Sequence, residues 1–439
     1  MSQPIKYADL FAGVGGFAAA MTMFDFSHSY AIEIDKQAAN VYEKNWGLSP
    51  LGDITEHANE FQMLVPENDI LLGGFPCQPF SKSGTQRGME ETRGTLFWNI
   101  LRILETRRPT VLVLENVRNL AGPRHVHEWE VIISSLRQAG YVVSSKPAIL
   151  SPHRLPPHLG GRPQNRERVF ITGTYAPDLA LELDPEPVFG PKSEFDGWDP
   201  GDWNLNRDFE FEKKADSDYS LSSQEVLWIS AWEEWLQTFR ANNGSNPPGF
   251  PLWSDEWSDN LSIKDGEPTW KVDFLTKNYE LYKANKSWID PWFKKWNIRS
   301  EKFPASRRKF EWQAGDTESL WNTLMHFRPS GLRAKRTNYF PTLVAITQTS
   351  IYGPLKRRLT PRETARLQAF PESFVFGDQP DAAAYKQMGN AVNVNVVYQV
   401  FRAHCLRDSD LLKQTVAGSE ILKSVLKSPE NPDDKKTRF

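Results

Sequence analysis

Cys77 is the side chain of this sequence best suited to act as a nucleophile. It lies in Gly73-Gly74-Phe75-Pro76-Cys77-Gln78-Pro79-Phe80-Ser81, directly after the apolar run Asp69-Ile70-Leu71-Leu72, which reads as a buried strand. Two glycines and two prolines force a turn at the strand's end, and that end of an open α/β sheet is where ligands bind. Proline fixes its own φ, so a thiol beside Pro76 is held more rigidly than one on a free loop. A cysteine that merely packs needs no such punctuation; a thiolate nucleophile gains from it. A second run, Pro109-Thr110-Val111-Leu112-Val113-Leu114, ends in Glu115-Asn116-Val117 and brings a carboxyl to the same sheet edge. In a partly dry site such a group keeps its proton and serves as an acid; the alternative for a lone glutamate there is a helix cap. In Gln164-Asn165-Arg166-Glu167-Arg168-Val169-Phe170-Ile171-Thr172, Arg166 and Arg168 alternate onto one face of an entering strand. They suit an anionic or carbonyl-bearing ligand.

The elements that must position these groups begin at the N-terminus. Ile5-Lys6-Tyr7-Ala8-Asp9-Leu10-Phe11 reads as a first strand, and Ala12-Gly13-Val14-Gly15-Gly16-Phe17-Ala18 leads into an Ala/Met-rich helix. Gly13, Gly15 and Ala18 fit the pattern that lets a ligand approach a helix N-terminus. A second strand, Tyr30-Ala31-Ile32-Glu33-Ile34-Asp35, ends in acid, and Glu33 sits about 20 residues beyond the first glycine, where a ribose-hydroxyl acceptor belongs. Gly52-Asp53-Ile54-Thr55 reads as a third strand end; Asp53 either accepts from an adenine amino group or caps the next helix. This half therefore fits an adenosine-bearing cofactor, with NAD and S-adenosylmethionine both open on these residues. After Ser81, Lys82-Ser83-Gly84-Thr85-Gln86-Arg87-Gly88-Met89 reads as a mobile loop beside the site.

Composition narrows the classes. The chain has 439 residues, 39% hydrophobic and 24% charged, ordinary for a globular protein of two or three domains. No apolar stretch is long enough to span a membrane, and the N-terminus carries no secretory pattern. Only Cys77 and Cys405 are present, which argues against a disulfide framework, leaves no four-cysteine metal site, and points to a reducing cytoplasm. No metal is expected. Net charge is −3, so a nucleic-acid role must rest on a local patch.

Taken in order, Asp9-Leu10-Phe11-Ala12-Gly13-Val14-Gly15-Gly16-Phe17, Gly74-Phe75-Pro76-Cys77-Gln78-Pro79-Phe80-Ser81, Glu115-Asn116-Val117 and Gln164-Asn165-Arg166-Glu167-Arg168 resemble four motifs of the cytosine-C5 DNA methyltransferases. Arg358-Leu359-Thr360-Pro361-Arg362-Glu363, continuing to Arg366-Leu367-Gln368-Ala369-Phe370-Pro371, and Tyr385-Lys386-Gln387-Met388-Gly389-Asn390-Ala391-Val392 resemble two more. The resemblance, to the bacterial modification-type branch, implies an α/β fold: a Rossmann-like methyltransferase domain with a mixed, mostly parallel sheet, plus a smaller target-recognition domain. It implies methyl transfer from S-adenosylmethionine to C5 of a flipped-out cytosine in a specific double-stranded DNA sequence. Cys77 would attack C6, Glu115 would act at N3, Arg168 would contact the cytosine carbonyl and Arg166 would support the pocket. Phe11 would stack on the adenine, Glu33 would hold the ribose and Asp53 would meet the adenine amino group. Gly13, Gly15, Gly16, Ile54, Pro79, Asn390 and Val392 would complete the cofactor site. The family often has tryptophan after the ribose-binding glutamate; here Ile34 would pack on the adenine instead. Gln78, Ser81, Ser83, Gln86 and Arg87 would face DNA on the loop over the extruded base.

Between about 178 and 350 the composition shifts. Thirteen of the 16 tryptophans fall between Trp198 and Trp321. Trp288-Ile289-Asp290-Pro291-Trp292-Phe293-Lys294-Lys295-Trp296 runs toward Arg307 and Arg308, a basic patch interleaved with aromatics that reads equally well as an aromatic core with a solvated lysine face. Arg328-Pro329-Ser330-Gly331-Leu332-Arg333-Ala334-Lys335-Arg336 is a second basic stretch. A short Pro341-Thr342-Leu343 match to the end of the family's recognition domain sets Thr342 near DNA. The expected division is 1–177, catalytic and cofactor-binding; 178–350, target recognition; 351–380, hinge and supporting motif; 381–412, a returning catalytic helix; and 413–439, a partly disordered tail. The resemblance further implies a monomer in a prokaryotic cytoplasm, working on DNA without membrane contact, with a cognate restriction endonuclease acting on the same site as partner. The RNA-directed branch usually adds a Cys-Phe-Thr motif, for which two cysteines leave no place. An NAD oxidoreductase, or a catalytically dead DNA-binding module, remains as the reading from another class; the module reading would expect Cys77 or Glu115 to be replaced.

Overall fold

The computed structural model describes residues 4–76, 95–190, 195, 197–213, 217–345 and 349–435. Cys77, Gln78, Pro79, Ser81, Ser83, Gln86 and Arg87 lie outside these residues. The described chain forms two compact units, 1–203 with 341–347 and 364–439, and 204–340 with 348–363.

The first unit is built on a sheet of seven strands: β1 (Lys6–Leu10), β2 (Ser27–Ile32), β3 (Ile70–Gly74), β4 (Val111–Val117), β5 (Tyr141–Val143), β6 (Ala148–Leu150) and β7 (Arg168–Tyr175). Their order is β2-β1-β3-β4-β7-β5, with β6 also paired to β7. The β1/β2, β1/β3 and β3/β4 pairs are parallel. The β4/β7, β5/β7 and β6/β7 pairs are antiparallel, so the mixed sheet is less dominated by parallel pairs than expected. Ile70, Leu71 and Leu72 of β3 and Val111 through Leu114 of β4 are wholly buried, because helices cover both faces of such strands and leave no polar alternation. Parallel strands must be joined by crossovers; here these include the helices Gly16–Thr22 and Leu96–Arg107. The helix Val394–Arg407 returns to this unit, and Tyr398 stacks on Phe24 at 4.5 Å.

The second unit carries a six-stranded sheet: β8 (Leu252–Trp253), β9 (Lys309–Gln313), β10 (Leu324–Arg328), β11 (Gly331–Lys335), β12 (Ile351–Tyr352) and β13 (Arg357–Arg358), ordered β13-β12-β10-β11-β9-β8. Its core gathers Trp232 and Trp235 of the helix Ser223–Asn243, Trp292 of the helix Thr269–Trp296, and Trp257, Phe310 and Trp312. Much of the tryptophan enrichment thus builds a core. Within the same unit the motif Arg358–Glu363 is fixed by a buried pair: Arg357 donates through both terminal nitrogens to the Glu363 carboxylate, at 2.9 and 2.6 Å.

Four expectations are corrected. The composition shift at 178 is not a unit boundary, since 178–203 stays with the first unit. This polar stretch runs along its surface, with Asp184 accepting from Arg137 at 2.6 Å and the Trp203 indole donating to the His153 carbonyl at 2.8 Å. Segments 341–347 and 348–363 likewise fall to different units, instead of forming the end of one domain and a hinge. The C-terminal stretch is ordered to 435: Thr415 caps the helix Val416–Lys427, which buries Ile421, Leu422 and Val425. Charge and proline near the end suggested disorder, but the apolar spacing within 416–427 gives that helix a face to bury. Also, Asp53 ends no strand. It accepts from the Thr55 N–H at 2.9 Å and caps the short helix Ile54–His57.

Candidate active site

Glu115 stands on β4 opposite Gly74 of β3 and Phe170 of β7. It is 8% exposed. Burial raises its pKa above the ordinary carboxylate value, against the lowering effect of Arg168 and Arg166. The Arg168 Nε lies 3.0 Å from Glu115 Oε1, so an acid inclined to hold its proton sits beside a fixed cation. The next residue, Asn116, donates from Nδ2 to the Phe75 carbonyl at 2.8 Å. That bond ties the end of β4 to the end of β3, two residues before Cys77.

Arg166 is buried and points to backbone. It donates to the Leu343 carbonyl at 2.9 Å and to the Gly389 and Ala391 carbonyls at 2.8 Å each. Burial, then the charge of Arg168, lowers its pKa; three carbonyl acceptors compensate its two terminal nitrogens, while its Nε is buried without a partner among the described residues. Gln368 reinforces the same turn by donating to the Met388 carbonyl at 2.7 Å. Arg166 therefore shapes the segment carrying Asn390 and Val392.

The glycine-rich turn after β1 is shaped by close approach. Phe11 adopts φ 55° and Gly15 φ 91°, the first an uncommon conformation for a bulky residue. A Cβ at Gly15 would stand 1.9 Å from the Trp46 indole nitrogen, and one at Gly16 would stand 2.6 Å from Val392 Cγ2. Glu33 is held by its neighbours: Oε2 accepts from the Gly13 N–H and Oε1 from the Asp35 N–H, both at 2.8 Å. A cavity of about 560 Å³ opens among Phe11, Gly13, Glu33, Glu115, Arg168, Asn390 and Val392. A smaller one of about 140 Å³ lies among Phe11, Glu33, Ile34, Asp53, Ile54 and Pro76. Ile34 is 71% exposed and Ile54 is buried.

The model of the C-5 cytosine-specific DNA methylases matches residues 5–405. This chain belongs to that family. Type II methyltransferase M.AluI of Cellulosimicrobium cellulans is 46% identical to it, over 98% of this chain and 96% of the relative. Type II methyltransferase M.BanI of Aneurinibacillus aneurinilyticus is 30% identical over 90% and 94%. Type II methyltransferase M.HpaII of Haemophilus parainfluenzae is 30% identical over 90% and 88%. The chain is thus a DNA (cytosine-5-)-methyltransferase, as the order of its motifs implied.

In this methyltransferase Phe11, Gly13, Gly16, Glu33, Glu115, Arg166, Arg168, Asn390 and Val392 line the larger cavity and Ile34, Asp53 and Ile54 the smaller, whereas Gly15 lines neither. Thr342 also lines the larger cavity and donates to the Asn165 carbonyl at 2.7 Å. The residues expected at DNA in the second unit do not form one free patch. Arg307 packs its guanidinium over Phe327 at 4.3 Å and Trp228 at 5.1 Å. Arg308 donates to the Phe303 carbonyl at 2.7 Å and pairs with Asp255 at 3.1 Å. Lys295 pairs with Glu234 at 2.5 Å, while Lys294 is exposed. Arg307 and Arg308 are thereby spent largely on the unit's own packing. Arg333 pairs with Glu311 at 2.7 Å and sits opposite His326 in register, and the exposed Arg336 pairs with Asp316 at 3.1 Å. Burial, followed by the charges of Arg328, Lys335 and Arg333, pushes the His326 pKa down to about 3.

Sequence reasoning missed Asn116 as a tether, Gln368 as a brace, and Lys386, which lines the larger cavity and meets Asp35 at 3.0 Å. All three lie inside motifs already recognisable; their partners lie far along the chain.

Proposed function

We propose that this methyltransferase transfers the methyl group of S-adenosylmethionine to C5 of a cytosine flipped out of a specific double-stranded DNA sequence, through a covalent Cys77–C6 adduct. The observation that carries the reading is Glu115: a buried carboxyl with a raised pKa, beside Arg168, at the sheet edge where β3 delivers the chain to Cys77.

The cavities suit that cofactor. A Cβ at Gly13 would meet nothing within 4 Å, so the turn is open there, while Val392 closes on Gly16 from the other side. Glu33 has its orientation set by two backbone donors, as an acceptor for ribose hydroxyls needs. Phe11, Ile34 and Ile54 beside Asp53 combine apolar walls with one acceptor, as an aminopurine needs. Gly13, Gly15, Pro79 and Asn390 complete the assignment. When bound, S-adenosylmethionine supplies an electrophilic methyl group.

The protein's part is to make C5 nucleophilic. The Cys77 thiolate adds to C6 while Glu115 protonates or hydrogen-bonds N3, so electron density moves to C5. Arg168 holds the cytosine carbonyl, and Arg166 keeps the 389–391 turn in place. After methylation, a solvent base takes the C5 proton, the electron pair released expels the thiolate from C6, and N3 gives its proton back to Glu115, which restores the ring. C5 in a stacked duplex is out of reach, so the base must leave the helix, with Gln78, Ser81, Ser83, Gln86 and Arg87 facing the DNA. Within the second unit, Lys294, Arg333, Lys335 and Arg336 are the cations assigned to DNA. Lys295, paired with Glu234 as Arg333 is with Glu311 and Arg336 with Asp316, is assigned to it too, whereas Arg307 and Arg308 serve the unit's own packing. The relatives' names support a role as the modification partner of a restriction endonuclease acting on the same site. We assign the enzyme to the cytoplasm as a monomer. Trapping on DNA containing 5-fluorocytosine tests the mechanism.

A further inference from the structure

The family match ends at residue 405, yet the chain continues and comes back to the loop that leads into Arg166 and Arg168. That loop, 151–166, is laced by its own backbone. Gly161 donates to the Pro156 carbonyl, Arg162 to that of Pro152 and His153 to that of Gln164, each at 3.1 Å, and the Arg166 N–H donates to Ser151 Oγ at 2.8 Å. The outer edge of the loop is held from outside. Asn395 Nδ2 donates to the Gly160 carbonyl at 2.8 Å and to Asp433 Oδ1 at 3.1 Å. One helical turn on, Gln399 Nε2 donates to the Leu159 carbonyl at 2.9 Å and to the Glu430 carbonyl at 2.7 Å. Two amides on one helix thus each bridge the loop to the C-terminal segment. Arg162 completes the fastening with a bidentate grip on Asp433, at 2.8 and 2.7 Å, and also donates to the Gly160 and Gly161 carbonyls.

The fit is steric as well. Pro432 is buried, and a Cβ at Gly160, which has φ 78°, would stand 2.7 Å from both its Cγ and Asn395 Nδ2. An exposed ion pair by itself contributes little. This one is bidentate, shares its acceptor with Asn395, and adjoins a proline seated in a glycine-shaped gap.

We propose that 428–435 is a positioning strap for methyl transfer, with Asp433 as its latch: acting through Arg162 and the loop 151–166, it sets where Arg166 and Arg168 stand. The inference rests on the reading of those arginines as parts of the cytosine pocket. Displacing such groups by roughly 1 Å slows chemistry by up to about 10²-fold.

The test uses the full-length enzyme, Asp433→Ala, a chain ending at Ser428, Arg162→Asp, and the double variant Arg162→Asp/Asp433→Arg. Labelled methyl transfer to DNA from a strain lacking cytosine methylation is measured at saturation and normalised to S-adenosylmethionine sites counted by calorimetry. Amide exchange is followed in parallel. Asp433→Ala and the truncation should lower kcat about tenfold, leave both KM values within about twofold, and speed exchange in 151–166 but not in 111–117. The double variant should regain most of the rate lost by Arg162→Asp. Normal kcat in Asp433→Ala, slower turnover without faster loop exchange, or no rescue by the charge swap overturns the strap. Should the truncated chain aggregate, the substitutions decide. Cys77→Ser, measured beside them, separates the two ideas: methylation by that variant overturns the site reading itself, whereas an inactive Cys77→Ser with a full-rate Asp433→Ala overturns the strap alone.

Discussion

At the scale of single residues, Glu115 carries the most chemistry. Its neutral form is the one that donates to N3, and burial keeps it neutral to higher pH than an ordinary carboxylate. The rate should therefore fall on the alkaline side as pH passes the raised value. Folding stability should decline over the window between the ordinary and the raised values, because there the folded chain binds the proton that the unfolded chain has released. Glu115→Gln cannot donate a proton to N3 as the acid does. Single-turnover methylation should drop about 10²–10⁴-fold, lose that alkaline limb, and leave DNA affinity nearly unchanged; an unaltered rate would reduce Glu115 to a structural group. Cys77, Glu115, Arg166 and Arg168 could be picked out of the sequence because reactive or charged types stood at the ends of apolar runs. What Arg166 binds could not. Its acceptors, Leu343, Gly389 and Ala391, are between 177 and 225 residues away in sequence, and no local pattern encodes a contact of that range.

At the scale of elements, the turn after β1 is defined by what comes near it. Gly16 is needed because Val392 arrives from the far end of the chain. Gly16→Ala should push that segment away and weaken S-adenosylmethionine binding by an order of magnitude or more, read by calorimetry, with the fold retained in circular dichroism. Unchanged affinity would mean that Val392 does not close the cofactor site. β1, β2, β3, β4 and β7 were legible in the sequence, with observed bounds within a few residues of the expected ones, whereas the short β5 and β6 and the strands of the second unit were not picked out. Asp53 was not resolved by sequence because an acid before Ile-Thr serves equally as a strand end and as a helix cap; the cap is what forms. The returning C-terminal helix proves to be two, Asp381–Asn390 and Val394–Arg407, separated at the turn that Arg166 and Gln368 hold.

At the scale of the whole molecule, the second unit interrupts the first twice, and composition located its interior better than its edges. The tryptophans marked a core, whereas the polar stretch 178–203 belongs to the first unit by hydrogen bonds that composition cannot show. The same packing divides the basic residues. Lys294→Ala should weaken binding to all duplexes alike and reduce the salt slope by about 0.9, the value for one phosphate contact, while Arg333→Ala should relax preference at a particular base pair. Salt titrations on cognate and single-mismatch duplexes check both, and a change of base preference in Lys294→Ala would reverse the assignment. The central claim is the covalent path through Cys77. Its most direct measurement is denaturing electrophoresis and mass spectrometry after incubation with S-adenosylmethionine and a long duplex carrying 5-fluorocytosine at every cytosine, so that the target site is included whatever its sequence. Fluorine cannot leave C5 as the proton does, so the wild-type chain should remain attached to DNA through the peptide containing Cys77, and Cys77→Ser should show no adduct while still binding S-adenosylmethionine. Absence of an adduct with the active wild type, or attachment through any other residue, would contradict the mechanism.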